Sequence, residues 1–237
     1  MSELKNQQQL LQLQLTAEYT FATFYGDPTL VHMLTALAEG HCEEDQLFLW
    51  GATNTGKTHL LHAVCHHANH AGNSVLYLPC HELLASNTDV LEGFQAVSTV
   101  CLDGVDLFAG HQAWEYALFD FINRMRAQGT SLLLTANKNP GQQIFDLADL
   151  NSRAVWGPVY KLPSLSQVEV EQALLLHAHA RGLELGAEGW DYLFKHCRRD
   201  TSSLVAILAL LDDESLRHQR RLTLPFLRQV LNAQETP

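Results

Sequence analysis

Short apolar runs alternate with amphipathic stretches through the middle of the chain. Gln46-Leu-Phe-Leu-Trp50 stays apolar until Gly51 stops it, which predicts a buried strand. A helix is predicted from Thr58 to about His70, then a second strand at Ser74-Val-Leu-Tyr-Leu78. The stretch from Glu82 to Ala96 reads as helix, and Ser98-Thr-Val-Cys-Leu102 as a third strand ending on Asp103. Between Trp114 and Ala127 apolar residues recur at 114, 117, 118, 121, 122 and 125, a helical stripe. Ser131-Leu-Leu-Leu-Thr135 and Pro158-Val-Tyr-Lys-Leu162 supply a fourth and a fifth strand. Apolar strands separated by helices predict an α/β fold, a parallel five-stranded sheet between helices.

After Pro163 the strand signal ends. Ser166 and Glu169 form a capping-box pattern that opens a helix to about Arg181, and three more helical stretches follow near 187–197, 202–218 and 223–233. Before residue 18 the chain alternates Gln and Leu, from Gln7 to Leu15, with no partner hairpin nearby, so an extended arm is expected. The expected organisation is an arm over 1–17, an α/β domain over 18–163 and a small all-helical domain over 164–237.

Composition narrows the function classes. Hydrophobic residues make up 46 % and charged ones 17 %, enough for a packed core. Lys+Arg 15 against Asp+Glu 26 gives a net charge of −11, which disfavours a protein that coats DNA or anionic lipid. No apolar run approaches the ~20 residues of a membrane helix. The start lacks the layout of a secretory signal. Cys42, Cys65, Cys80, Cys101 and Cys197 are odd in number and scattered, which reads as reduced thiols in a cytoplasmic protein.

Gly51-Ala-Thr53-Asn54-Thr55-Gly56-Lys57-Thr58 fits G-x-x-x-x-G-K-[ST] at every fixed position, between a strand and a helix. Such a loop curls its N–H groups around phosphate oxygens, and the new helix adds its positive dipole end. Lys57 supplies a cation for the phosphates and Thr58 a hydroxyl for Mg²⁺. Asp103, closing the third strand, is placed as the carboxylate that holds the Mg²⁺ shell through water. An autonomous ATPase usually has Glu next to this Asp. Here the neighbour is Gly104, with Asp106 two residues beyond it, so poor hydrolysis by the chain alone is expected. Asn137, just past the fourth strand, is a candidate polar contact to the γ-phosphate position.

Together these residues resemble the AAA+ ATPases and, within them, the Hda-like group of DnaA-related regulators. Tyr19-Thr-Phe21-Ala-Thr-Phe24 is similar to the aromatic box that walls the base pocket, and the loop through Thr58 with His59 is similar to the initiator's phosphate loop and helix. Asp149-Leu-Asn-Ser-Arg153-Ala-Val-Trp-Gly157 resembles the stretch that carries the family's arginine finger. Tyr160-Lys-Leu, the four-helix tail and Leu222-Thr-Leu-Pro225-Phe extend the match over nearly the whole chain. The resemblance implies an AAA+ module with a helical lid, binding ADP or ATP with Mg²⁺ and using Phe21, Phe24 and His59 beside the loop. It also implies that Arg153 acts in trans on ATP bound to a DnaA initiator.

The resemblance further implies a partner for the arm. Gln12-Leu13-Gln14-Leu15 is similar to a peptide that binds the DNA polymerase III sliding clamp (its beta subunit), with Gln9-Leu10-Leu11 as an offset alternative. The chain ends at Pro237 without the initiator's helix-turn-helix domain, so sequence-specific DNA binding is not expected. At the lid position where the family's sensor Arg is expected stands Ser202, so Arg198, Arg199 or no residue takes that role, and a homo-oligomer stays open.

Other features have plainer readings. His62, His66 and His70 share a helix face at a spacing that can bind metal, but one helix does not complete a site, so packing or solvated histidines are expected. Trp114, Phe119, Phe121 and Met125 read as core, and Arg217, Arg220 and Arg221 as a solvated face. The expected function is therefore a regulator of replication initiation with little ATPase activity of its own. The rivals are an autonomous AAA+ ATPase such as a helicase loader, and an adaptor in which nucleotide only stabilises the fold.

Overall fold

The computed structural model describes residues 16, 18–42, 44–92, 94, 97–197 and 201–234. The arm residues Gln12, Leu13 and Leu15, and the lid candidates Arg198 and Arg199, lie outside them. The chain divides into two compact units, one formed by residues up to Phe21 with 26–164, the other by Ala22–Tyr25 with 165–237.

The first unit begins with a helix that the hydrophobic pattern alone does not single out, α1 (Pro28–Glu39). Its signals are at its ends. Asp27 caps it, its Oδ1 accepting from the Thr29 N–H at 2.8 Å; Pro28 occupies the first turn, and Gly40 ends it at φ 75°.

Then strands and helices alternate. In order they are β1 (Gln46–Trp50), α2 (Lys57–His70), β2 (Val75–Pro79), α3 (Cys80–Leu83), β3 (Thr99–Asp103), α4 (Gln112–Ala127), β4 (Ser131–Ala136), α5 (Ala148–Ala154) and β5 (Val159–Lys161). All pairings are parallel, in the order β2-β3-β4-β1-β5. The five-stranded parallel sheet expected from the sequence is present. Its register pairs Trp50 with Ala136 and Pro79 with Asp103, so the ends of β1, β3 and β4 open on the same edge. That carboxyl edge is where open α/β sheets bind ligands.

Helix α4 lays Trp114, Leu118, Phe121, Ile122 and Met125 into the core beside Phe108, and Phe119 packs against it half-buried. Trp114 and Phe121 are core, as the helical stripe predicts, while Phe119, expected as core, packs at its margin. Each fully buried side chain of this size contributes about 1.5–3 kcal/mol.

The continuous helix expected from Glu82 to Ala96 does not form. Among the described residues this stretch has only α3 and a 3-10 turn at Thr88–Leu91. Ser86-Asn87-Thr88-Asp89 supplies the reason: Asn87 is extended (φ −92°, ψ 151°), its Nδ2 donates to Asp89 Oδ2 at 2.8 Å, and Thr88 Oγ1 donates to its Oδ1 at 3.3 Å. Short polar side chains here compete with helical bonding.

The second unit holds α6 (Gln167–Ala180), α7 (Ala187–His196), α8 (Thr201–His218) and α9 (Leu224–Gln234). The capping box is formed, with Ser166 Oγ accepting from the Glu169 N–H and Glu169 Oε2 accepting from the Ser166 N–H at 2.7 Å. Leu174 and Ala178 of α6, Leu204, Leu208 and Leu211 of α8, and Leu227 of α9 are buried. Ser202 stands in the first turn of α8. No helix among the described residues is long and apolar enough to cross a membrane.

Candidate functional site

The loop between β1 and α2 is shaped by two left-handed residues, Asn54 at φ 65° and Gly56 at φ 90°. Gly51 is required for a different reason: a Cβ there would lie 2.4 Å from the Leu162 carbonyl oxygen. Lys57 reaches back into the curl, its Nζ donating to the carbonyls of Gly51 at 2.8 Å and Ala52 at 2.7 Å. Burial lowers the Lys57 pKa, and the charges of Asp103 and Asp106 oppose that fall. Thr53 and Asn54 are exposed on the loop, whereas Thr55 is buried and donates to Ala52 O at 2.9 Å. Helix α2 starts with no side-chain cap, so its leading N–H groups remain for an anion.

Asp103 receives three hydroxyls. Thr58 donates to its Oδ2 at 2.7 Å, Tyr77 to the same oxygen at 2.9 Å, and Thr135 to Oδ1 at 2.8 Å. The Gly104 N–H donates to Thr135 Oγ1 at 2.9 Å, which locks the turn after β3. Tyr77 and Thr135 were not singled out by motif. Their signal is a polar group inside an otherwise apolar strand, which must find a partner when buried. Burial, and then the Asp103 charge and hydrogen bond, push the Tyr77 phenol far up, so it stays a donor.

Gly104 itself is left-handed, at φ 80° and ψ 49°. Asp106 is buried, its Oδ1 without a hydrogen-bond partner among the described residues. Asn137 lies exposed one residue beyond β4.

A hydroxyl and a carboxylate 2.7 Å apart form a hard-oxygen donor pair that fits Mg²⁺, which keeps waters and phosphate oxygens for the rest of its shell. Among the described residues no group of three or more His, Cys, Asp or Glu could hold a metal by itself. The histidine face of α2 has another role. Its side chains clasp Thr16, Tyr19, Thr20 and Phe21. His62 Nδ1 accepts from the Thr16 N–H at 2.9 Å, His66 Nε2 lies 3.0 Å from Thr16 O, and His59 Nε2 lies 2.8 Å from Thr20 O. Tyr19 stacks on His59 with centroids 4.8 Å apart, and Phe21 meets His67 at 5.7 Å. Phe24 is half-buried.

The second feature is Arg153, in the last turn of α5. Gln46, at the start of β1, donates from Nε2 to the carbonyls of Arg153 at 2.8 Å and Ala154 at 2.7 Å. Gly157 lies so close to β1 that a Cβ would fall 1.8 Å from Gln46 O. The guanidinium carbon sits over the Trp156 ring, 4.9 Å from its centroid. Among the described residues no carboxylate pairs with it, Asp149 included.

Residues 15–161 match the family model of the bacterial DnaA ATPase domain, and residues 168–231 match the lid domain of Hda. Domain III of the Thermotoga maritima replication initiation protein DnaA has the same fold, with TM-score 0.74 at 20 % identity over 95 % of this chain and 100 % of that one. AMPPCP-bound DnaA from Aquifex aeolicus gives 0.64 at 21 % identity, covering 83 % and 66 %. The Thermotoga maritima RuvB Holliday junction branch migration motor gives 0.59 at 15 %, covering 86 % and 67 %. The phosphate loop, the parallel sheet and the two family matches converge, and the chain belongs to the Hda/DnaA-related AAA+ family.

Proposed function

We propose that the chain binds ADP or ATP with Mg²⁺, tethers to the beta sliding clamp through Gln12, Leu13 and Leu15, and stimulates hydrolysis of ATP bound to a DnaA initiator. Gly51, Thr53, Asn54, Thr55, Gly56 and Lys57 cradle the phosphates. Thr58 and Asp103 hold the metal, which when bound neutralises phosphate charge. Asn137 reaches toward the terminal phosphate, with His59 and Phe21 flanking the nucleotide. Arg153 enters the initiator's site and stabilises charge on the transferring phosphoryl group. The outcome is negative control of re-initiation by a cytoplasmic regulator.

The observation that carries this reading is an arginine with a pinned backbone and no carboxylate partner among the described residues of its own chain. Arginines that end helices as structural caps ordinarily pair with a neighbouring acid or carbonyl. This one leaves its five donors for an outside acceptor. Gly104 supports the division of labour, since the usual water-orienting carboxylate is replaced by a left-handed glycine.

The test combines the protein, clamp on DNA and ATP-bound DnaA, and follows phosphate release with each component omitted. Arg153→Ala is expected to remove the stimulation, by up to about 10³-fold or more if the finger works at the strength usual for such residues. Stimulation by that variant equal to the wild type would refute the assignment.

A further inference from the structure

Trp156 is 61 % exposed, yet it is not idle. Two guanidiniums rest on its ring. Arg126, from the last turn of α4, lies 4.2 Å from the centroid, and Arg153 lies 4.9 Å from it. Arg126 commits itself to this contact, for its Nη1 is buried with no hydrogen-bond partner among the described residues. The backbone at Arg153 is already fixed, because its carbonyl accepts from Gln46 Nε2 at 2.8 Å and from the Trp156 N–H at 3.4 Å. What remains free is the long side chain, whose rotamer entropy is among the largest of any residue.

A group that must enter a neighbour's site works best when it is ordered beforehand. A carboxylate would order Arg153, but it would also neutralise the charge that the triphosphate needs. An aromatic face orients a guanidinium and leaves its charge intact. The attraction is weaker than a charge-assisted bond to phosphate, so the guanidinium can leave the ring for the incoming oxygen. Arg126 meanwhile seats the indole from the α4 side.

We propose that Trp156 is the positioning residue for Arg153, holding its guanidinium on the indole face until a partner's triphosphate takes it. The proposal rests on the reading of Arg153 as a finger in trans. It adds a residue that is neither in the phosphate loop nor in the reacting set, and it gives the paired cations at this ring a purpose.

The experiment titrates the full chain into γ-labelled ATP-bound DnaA with clamp-bearing DNA and reads phosphate release. Trp156→Leu is expected to lower the maximal stimulated rate about three- to ten-fold while the half-saturating concentration stays within about two-fold. Trp156→Phe keeps an aromatic face and recovers most of the loss. On an Arg153→Ala background, Trp156→Leu has no further effect. A Trp156→Leu variant changed only in half-saturating concentration overturns the proposal, because the ring is then a docking contact. So does a loss that persists on the Arg153→Ala background, or a Phe variant no better than Leu.

An NMR measurement without the initiator separates the two claims. The Arg153 Nε–Hε resonance, shifted by the ring current of Trp156, moves in Trp156→Leu if the stack exists. An unmoved resonance overturns this proposal and leaves the finger reading standing. Full stimulation by Arg153→Ala overturns the finger reading and this proposal with it.

Discussion

Three hydroxyls from three different elements converge on the Asp103 carboxylate, and one of them continues outward. Tyr77, which donates to Asp103, presents its ring in an edge-on contact to His62 at 4.6 Å. His62 in turn accepts the Thr16 N–H, and its Nε2 is buried without a hydrogen-bond partner among the described residues. Its surroundings are Tyr19, Tyr77, His66 and the more distant Asp103 charge. Burial is the largest effect and lowers its pKa from 6.5 to about 4; His66 adds to the fall and Asp103 opposes it. The sign follows from linkage. Between pH 6.5 and about 4 the unfolded imidazole takes a proton that the folded one refuses, so stability falls as the pH falls. The full loss is about 3 kcal/mol and is absent above the unfolded pKa. Urea unfolding at pH 7.5, 6, 5 and 4 checks it: the wild type should lose about that much more than His62→Gln across the window. Parallel curves for the two proteins would show that His62 is not held neutral.

At the scale of elements, what could be read from the sequence was whatever its own residues enforce. Strands β1 to β4 are apolar runs closed by turn residues, and a run of that kind has no stable alternative to burial. The phosphate loop was legible because its glycines and lysine serve backbone geometry that few other residues permit. Helix α1 escaped the hydrophobic pattern because its evidence lies in its caps, Asp27 and Gly40. The expected helix over 82–96 failed where Asn87 and Asp89 bond to each other instead of extending it. His59, His62 and His66 of α2 and the pair Tyr77 and Thr135 needed tertiary contacts to be understood, since their partners lie 26 to 50 residues away along the chain. The pedestal beneath Arg153 is of the same kind, as Gln46 is 107 residues from it in sequence. That pedestal makes a prediction. A Cβ at Gly157 would overlap Gln46 O, so Gly157→Ala must displace either the start of β1 or the segment behind Arg153. It should cost about 1–3 kcal/mol in urea unfolding, the usual range for overpacking, and should weaken initiator stimulation as well. An alanine variant with wild-type stability and stimulation would mean that the two segments do not need this close approach.

At the scale of the whole molecule, the proposed function separates holding a nucleotide from consuming one. In the proposed site the loop, Lys57, Thr58 and Asp103 are the set that would hold it, while the turn after β3 gives Gly104 instead of a carboxylate. That turn is not a blank awaiting a side chain. At φ 80° a non-glycine residue would be strained by about 1–2 kcal/mol, and the Gly104 N–H is already tied to Thr135. With a net charge of −11 the chain also lacks the overall basic character of a DNA-coating motor, which agrees with the proposed action through a partner. Nucleotide should therefore behave as a structural ligand. ADP with Mg²⁺ at about a hundredfold its dissociation constant is expected to raise the unfolding free energy by about 2.7 kcal/mol, and Lys57→Ala should lose that gain. Mg²⁺-ATP should be turned over slowly by the isolated chain, and Gly104→Glu should not accelerate it, because the strained turn does not offer the carboxylate an ordinary strand-end geometry. Calorimetry with ADP and phosphate release without DnaA decide the matter together. Rapid release that Lys57→Ala abolishes would make the chain an ATPase in its own right, and no thermal shift with ADP would remove nucleotide from its function altogether.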